Sequence, residues 1–210
     1  MNIIKEIKHR IIEFKFRCKG VELHLAKGCR FKHCKLRNKG KGNKIFIGEG
    51  ACIDNCQFTL LGSDSTIKIG NSAHICNMEF HMEHKNNEII IGERVGIARN
   101  VQLAACEGTK ITIGDETIIA HETSIRTTDS HSILDAEGRR INHAQDIFIG
   151  NHVWVGFGVL ILKGSRIADN NILAAKSIIS QKAPYEENII LAGSPAKKLK
   201  ENINWDFHLK

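Results

Sequence analysis

The sequence predicts an all-β domain built as a three-sided parallel β-helix, and three periodic features indicate it. An Ile-Gly pair recurs every 22 residues, at Ile47, Ile69, Ile91 and Ile113. Later in the chain an aliphatic residue returns every six residues, at Ile149, Val155, Ile161, Ile167, Leu173 and Ile179. Most of these repeating aliphatic residues are followed directly by a small residue, and six is the period of neither a helix nor a simple alternating strand.

In this fold each six-residue unit supplies a short strand and a corner, so three units make one turn of the helix. The aliphatic side chains point inward and form a continuous column only when turns stack, and small residues suit the bent corners. A 22-residue turn carries four residues more than three such units, as at residues 106–109, Cys-Glu-Gly-Thr. We expect these extra residues to broaden one side or corner.

The first residues follow a different pattern. Ile4, Ile7, Ile11 and Phe14 recur at helical spacing with basic residues between them, which predicts a short amphipathic helix. Such a helix could pack on the β-helix or on a neighbouring subunit, and it would then cover strand edges that are otherwise unpaired. Alternatively, its basic side could make peripheral contact with a membrane surface.

We therefore divide the chain into three parts. Residues 1–20 form the amphipathic helix and lead-in, residues 21–183 form the β-helix, and residues 184–210 form a C-terminal tail. An excursion loop over residues 132–146 interrupts the β-helix because the six-residue pattern fails there.

Positive charge is concentrated at the start of the chain. Residues 1–44 hold fourteen Lys or Arg and three Glu, while the chain as a whole has a formal net charge of +7. This basic region could meet a polyanionic acceptor, a membrane surface or coenzyme phosphates, or it could simply be solvated. We expect no nucleic-acid partner.

Localisation is predicted to be cytoplasmic. The longest apolar stretch, residues 147–162, is too short to span a bilayer, and charges interrupt the N-terminal segment where a signal peptide needs its apolar centre. The seven cysteines form no CxxC pair and are expected to be reduced, mostly buried thiols.

His131 stands where the six-residue count from Ile113 expects an aliphatic residue, immediately before the excursion loop. Loops that project from a rigid scaffold often carry function. A histidine with a near-neutral pKa could remove the proton from a hydroxyl during acyl transfer. Asp129, two residues earlier, could point the same way and orient the imidazole. A DxH string by itself is also compatible with a structural role.

Three strings together carry a family resemblance: IRTTDSH at residues 125–131, NHVWVG at 151–156 and LAGSPAKKLK at 191–200. With the repeats they resemble the hexapeptide-repeat acyltransferases, and residues 125–205 are similar to bacterial polysialic acid capsule O-acetyltransferases. The resemblance implies a left-handed parallel β-helix, acetyl-CoA as the acetyl donor, a carbohydrate acceptor and a homotrimer with sites in the clefts between subunits.

The resemblance also implies roles for particular residues. The family's catalytic histidine falls on His131, and its tryptophan, which lines the channel for the thioester arm, falls on Trp154. Lys197 and Lys198 could meet the coenzyme phosphates. The coenzyme-contacting positions as a whole are Trp154, Gly156, Ala174, Ser180, Ser194, Pro195, Ala196, Lys197 and Lys198.

Acceptor contacts are expected from the excursion loop, where Arg139 and Arg140 could pair with carboxylates of an acidic sugar and His143 lies beside them. Other histidines lack paired ligand spacing, so we expect no metal.

The leading hypothesis is an acetyl-CoA-dependent O-acetyltransferase that modifies a sugar hydroxyl of a bacterial surface or capsular polysaccharide, with sialic acid as one candidate sugar. Two alternatives stay open. The same machinery could acetylate a nucleotide-linked amino sugar or another small acceptor, or the chain could be a non-enzymatic β-solenoid scaffold.

Overall fold

The structure, a computed structural model, describes residues 3–210, with side chains from Glu6 onward. Residues 1 and 2 of the predicted lead-in, and the Ile4 side chain of the predicted helical face, lie outside this description. One helix, α1 (Ile3–Cys18), precedes 23 short strands. The strands form three sheets with parallel turn-to-turn pairing, which confirms the predicted parallel β-helix and the predicted short helix.

The strands visit the three sheets in rotation. The first sheet contains β1 (Val21–Leu25), β4 (Asn43–Ile47), β7 (Thr66–Ile69), β10 (Glu88–Ile91), β13 (Lys110–Ile113), β16 (Ile147–Ile149) and β19 (Arg166–Ile167). The second contains β2 (Arg30–Lys32), β5 (Cys52–Asp54), β8 (His74–Cys76), β11 (Gly96–Ile97), β14 (Ile118–Ile119), β17 (Trp154–Val155), β20 (Ile172–Leu173), β22 (Ile190–Gly193) and β23 (Ala196–Lys200). The third contains β3 (Lys35–Asn38), β6 (Gln57–Leu60), β9 (Glu79–Glu83), β12 (Gln102–Cys106), β15 (Ser124–Arg126), β18 (Leu160–Ile161) and β21 (Ile178–Ile179).

The spacing between stacked residues changes along the chain. Glu49 and Asn71, which are joined by a hydrogen bond between successive turns, are 22 residues apart. Asn151 and Asp169, joined in the same way, are 18 residues apart. Between these regions the spacing is 36 residues, as between Asp115 and Asn151, because one turn carries the excursion loop. Since the turns on both sides stay in parallel register, the loop leaves and re-enters the stack without disturbing it.

The core is the column of inward-facing aliphatic side chains that the period predicts. Ile45, Ile67, Ile89 and Ile111 stack in the first sheet and are all fully buried. The additional residues of the 22-residue turns lie at the corner between the third and first sheets. There the backbone packs very closely, since a Cβ built on Gly62 would lie 1.4 Å from the carbonyl oxygen of His84.

Both ends of the column are covered. At the start, Phe16 of α1 is buried and packs edge-on against Phe31 and Phe58, with ring centroids 5.6 and 6.4 Å apart. At the other end the chain reverses, so that β23 pairs antiparallel with β22. Within residues 3–210, the structure contains no helix with the length and apolar character needed to cross a membrane.

Candidate active site

The excursion begins at the end of β15, where the chain leaves the third sheet. Ser130 adopts a left-handed backbone with φ of 66°, which turns the chain outward directly before His131. The base of the loop is closed by a hydrogen bond of 3.0 Å from the backbone amide of Gln145 to the backbone carbonyl of Thr127. His131 therefore stands at the root of a projecting loop, as the interrupted period predicts.

His131 is exposed and lines an open cavity of about 370 Å³. Two of the lining residues, His84 and Glu107, belong to the wide corners of earlier turns, whereas the others come from the loop. The complete lining is His84, Glu107, Ser130, His131, Ser132 and Arg140. The cavity is thus formed where the loop folds back over the broadened corner, and it can admit a polar molecule beside the imidazole.

Glu107 is held by the loop through Arg140. The guanidinium donates two hydrogen bonds to the carboxylate, of 2.6 and 2.9 Å, and the Thr128 hydroxyl donates a third of 2.7 Å. The hydrogen bonds from Arg140 lower the pKa of Glu107 to about 2, with a smaller contribution from Thr128. Glu107 is therefore a fixed anion and cannot act as a proton donor near neutral pH.

Asn142 fixes the backbone on both sides of His131. Its Nδ2 donates to the His131 carbonyl oxygen at 2.8 Å, and its Oδ1 accepts from the Ile133 amide at 2.7 Å. The same Nδ2 donates to Asp129 at 2.8 Å. Asn142 is itself buried, so this polar side chain holds the backbone around His131 from the interior side of the loop.

Asp129 is engaged differently from the sequence expectation. Its carboxylate accepts hydrogen bonds from Lys163 and Asn142, and the Lys163 ammonium is the main cause of its lowered pKa. Within the described residues, no hydrogen bond joins Asp129 to the imidazole of His131. Both hydrogen bonds end on Oδ2, so through this oxygen the carboxylate is tied to Lys163 and to Asn142, which supports the His131 segment.

The predicted acceptor residues are dispersed over the loop. Arg139 lies at the loop tip, where its guanidinium donates to Asp135 and Glu137 at 2.8 Å each. His143 is exposed and is not part of the cavity wall, and Arg140 is neutralised by its ion pair. Of these three residues, only Arg140 lines the cavity with His131.

Trp154 lies on the second sheet, on a different side of the β-helix from the cavity. It is 42% exposed, and its ring lies 6.1 Å from that of the largely buried Trp205. Trp205 stacks on His152 at 4.1 Å and donates from Nε1 to the His152 carbonyl. The C-terminal tail thus builds an aromatic surface around Trp154, but one chain does not bring this tryptophan into the His131 cavity.

Two predicted coenzyme positions have their amides committed to the fold. The Gly156 amide donates to the Leu173 carbonyl and the Ala174 amide donates to the Leu191 carbonyl, both at 2.8 Å. Their N–H groups therefore hold turns together and are not free for a pantetheine arm.

The tail residues differ in how available they are. Ser194 and Pro195 are exposed and joined by a cis peptide bond, and Lys197 is exposed beside them. Lys198 instead pairs with Glu186 at 2.8 Å and Glu201 at 3.0 Å, and Glu186 is the main cause of its raised pKa. Ser180 lies in the corner after β21, half-buried. Lys197 is the better placed of the two lysines to meet a phosphate.

Sequence reasoning missed Glu107, Asn142 and Lys163 as site residues. For Glu107 the sequence did contain a signal, the extra residues 106–109. These residues form a corner one turn before the excursion loop, so a side chain there lies next to the start of the loop. The exposed His84 lies at the equivalent corner one turn before Glu107 and also lines the cavity.

A parallel β-helix with a histidine at the root of a projecting loop defines the class of left-handed β-helix acyltransferases. No protein-family model matches the chain. The polysialic acid O-acetyltransferase of Neisseria meningitidis is 38% identical over 107 residues, covering 50% of this chain and 49% of that protein. The galactoside O-acetyltransferase of Escherichia coli K12 is 32% identical over 111 residues, covering 52% and 53%. These matches span about half the length of the curated relatives.

The similarity to a solved structure is more extensive. The crystal structure of the polysialic acid O-acetyltransferase OatWY is 32% identical and covers 90% of this chain and 88% of that one, with a TM-score of 0.78. The chain therefore belongs to the hexapeptide-repeat acetyltransferase family that includes the polysialic acid O-acetyltransferases. Its fold is the left-handed β-helix of that family, as the resemblance implied.

Proposed function

We propose that this protein is an acetyl-CoA-dependent O-acetyltransferase that modifies a sugar hydroxyl of a bacterial surface or capsular polysaccharide, with a sialic-acid-containing polymer as the first candidate acceptor. The observation that carries the proposal is the exposed imidazole of His131 in an open polar cavity at the root of the loop. The names of the relatives favour an O-acetyltransferase, but they include both polysialic acid and galactoside acceptors. The acceptor is therefore the part that most needs a test.

His131 would act as the general base. The imidazole takes the proton of the sugar hydroxyl while the hydroxyl oxygen bonds to the acetyl carbonyl carbon. The carbon–sulfur bond of the thioester then breaks. The imidazolium returns the proton to the departing thiolate, so the histidine ends unchanged. Acetyl-CoA supplies the activated thioester carbonyl. Asn142 would keep the histidine segment in place during this cycle, and no covalent acyl-enzyme is needed.

The donor site would use the tail and its aromatic surface. Trp154 offers an exposed indole face for the thioester arm, and Lys197 together with Ser194 and Pro195 offers an accessible edge for the rest of the coenzyme. Since one chain holds Trp154 and His131 on different sides of the β-helix, we propose that a homotrimer completes the site. Trp154 of one subunit would then face His131 of the next across a shared cleft.

The acceptor would approach over the excursion loop. Arg139 and His143 are exposed there and can meet carboxylates or hydroxyls of a glycan, although Arg139 must first release Asp135 or Glu137. Arg140 is better assigned to holding the loop, because its charge is neutralised by Glu107. An acidic acceptor would therefore compete with carboxylates of the loop itself.

We also propose that the protein acts in the cytoplasm, where acetyl-CoA is available, with its N-terminal helix making peripheral contact at a membrane. Ile7, Ile11 and Phe14 of α1 are exposed beside basic residues, which suits an interface that is both apolar and anionic. This contact would bring the enzyme close to a growing surface polysaccharide.

The test is a panel of purified glycans incubated with isotopically labelled acetyl-CoA and read by mass spectrometry. Sialic acid oligomers should gain acetyl groups, whereas galactosides and nucleotide-linked amino sugars should gain few. His131→Ala should lower turnover about 10²- to 10⁴-fold. The matched control is His74→Ala, which removes an exposed histidine of β8, away from the cavity.

Undiminished turnover in His131→Ala would remove this residue from the mechanism. Acetylation of a galactoside in preference to sialic acid oligomers would keep the enzyme class and replace the acceptor. A solution mass equal to one chain would contradict the trimer.

A further inference from the structure

A histidine, a glutamate and a cysteine come together on the outer face of the third sheet, apart from the acyl-transfer residues. His81 and Glu83 are two residues apart on β9, so their side chains point to the same side of the strand. Cys106 on β12 is the register partner of Glu83. The parallel pairing therefore places three different metal-binding side chains on one small patch of the sheet.

The potential ligand atoms of these three side chains all lie within 4.8 Å of one another. His81 Nε2 and Glu83 Oε2 are 3.9 Å apart. Around a tetrahedral zinc ion with bonds of about 2.0–2.3 Å, ligand atoms are separated by roughly 3.3–3.8 Å. Small rotations of the exposed Glu83 and half-buried His81 side chains would close the difference. Among residues 3–210 no other group of three such side chains is this close.

The His81 and Glu83 donors are accessible to an ion, and the Cys106 thiol beside them is buried. Within the described part of the chain, the His81 ring and the Glu83 carboxylate make no hydrogen bond, and they are 26% and 51% exposed. His81 Nδ1 lies 3.8 Å from Glu79, so the Nε2 atom is the one left to face the ion. A carboxylate behind a metal-binding histidine is the usual orienting arrangement. Glu79 is itself fixed by hydrogen bonds from Thr59 and Gln102.

We propose that His81, Glu83 and Cys106 form a zinc site, with His81 Nε2, a Glu83 carboxylate oxygen and Cys106 Sγ as ligands and water in the fourth position. The mixture of nitrogen, oxygen and sulfur donors suits Zn²⁺ or Co²⁺ and does not suit Mg²⁺ or Ca²⁺, which take oxygen ligands. The site joins two successive turns across the sheet, at residues that immediately precede His84 and Glu107 of the acyl-transfer cavity.

A bound ion must displace the Cys106 thiol proton in the presence of several charged neighbours. Burial is the largest cause of a raised pKa for the Cys106 thiol, and Glu83 and Glu107 raise it further, while Arg126 lowers it. Zinc would displace the thiol proton to bind as thiolate. Glu107 is already paired with Arg140, and Arg126 opposes a bound cation. Glu83 and the Glu79 carboxylate beside His81 favour the cation, so these five charged groups leave one net negative charge.

The experiment titrates Co²⁺ into the reduced full-length protein and follows near-ultraviolet absorption. The wild type should bind one Co²⁺ per chain with a thiolate-to-cobalt charge-transfer band, and Zn²⁺ should abolish the band by displacement. Cys106→Ser should lose the band. Cys76→Ser is the matched control, because Cys76 is a half-buried strand cysteine outside the cluster, and it should keep the band.

Two further variants guard against a folding defect in Cys106→Ser. His81→Gln and Glu83→Gln alter accessible side chains, and each should weaken Co²⁺ affinity at least about tenfold while the far-ultraviolet circular dichroism stays unchanged. No thiolate band in the wild type, or a band that survives Cys106→Ser, would overturn the proposal. The readout does not depend on acetyl transfer, so it is independent of the proposed function.

Discussion

Arg140 and Glu107 form a two-bond ion pair that joins the excursion loop to the corner of an earlier turn, with N···O distances of 2.6 and 2.9 Å. Both side chains are about three-quarters buried, and they are 33 residues apart in sequence. The pair is the ion-pair link between the excursion loop and the β-helix, beside the hydrogen bond from Lys163 to the Asn142 carbonyl. Because it forms one wall of the cavity, it sets the position of the loop relative to the imidazole.

Arg140→Gln should release the loop. We expect the loss of charge-assisted hydrogen bonds to cost about 1.5–3 kcal/mol of stability and to speed amide hydrogen exchange over residues 131–142. The control is Arg94→Gln, which removes another inter-turn arginine–glutamate pair, with Glu116. This pair is more exposed, so its loss should destabilise the protein clearly less. Equal effects of the two substitutions would mean that Arg140 has no special role in holding the loop.

Acid should weaken the same contact in a defined range of pH. The folded-state pKa of Glu107 is lowered from 4.5 to about 2 by Arg140, so its stabilisation is present above pH 4.5 and is lost as the pH falls through about 2. Chemical denaturation of wild type and Glu107→Gln should therefore show the wild type more stable at neutral pH and the gap closing at low pH. A gap that does not change with pH would show that the charge of Glu107 contributes nothing.

Asn142→Asp tests whether the hydrogen bonds of Asn142 position His131. The substitution keeps the oxygen that accepts from Ile133 but removes the donor to the His131 carbonyl and places a second carboxylate against Asp129. Displacement of a catalytic group by about 1 Å can cost about 10²-fold in rate, so we expect a fall in kcat of that order with little change in KM. Because the imidazole remains, the pH profile should keep its shape, whereas His131→Ala should abolish it. A wild-type kcat would contradict the assignment of Asn142 as a positioning residue.

Gly62→Ala tests the close packing of the wide corner. The added Cβ would meet the backbone carbonyl of His84 at 1.4 Å, so stacked turns must separate, at a cost of about 1–3 kcal/mol or more. Gly96→Ala is the control, because its Cβ would meet only the Ile118 side chain at 3.5 Å, an ordinary contact, and should change stability by at most about 0.5 kcal/mol. Thermal unfolding of both variants makes the comparison, and similar melting temperatures would contradict the predicted clash.

The fold could be predicted from the sequence because its main determinant is local and repeated. The six-residue spacing from Ile149 to Ile179 directly specifies which side chains enter the core, and its interruption after Ile125 marks the loop. Handedness required the family resemblance, because a period is the same for either hand.

The site was predictable only in part. His131 could be predicted as a candidate because it replaces an aliphatic residue that the six-residue count expects. Glu107, Asn142 and Lys163 could not, since their roles come from hydrogen bonds between groups 9 to 34 residues apart, and periodicity does not specify which polar groups meet there. Periodicity likewise does not show that the backbone amides of Gly156 and Ala174 donate hydrogen bonds within the parallel ladder itself.

The two covered ends have a consequence for what the molecule does in concentrated solution. A bare parallel ladder is a template on which further copies could add end to end and grow into a fibre. Here Phe16 covers the start of the core column, and at the other end the reversal into β23 closes the parallel ladder of the second sheet with an antiparallel strand rich in lysine. Mutual repulsion between such strands opposes filament growth, so association is directed to the sides of the rod and away from its tips.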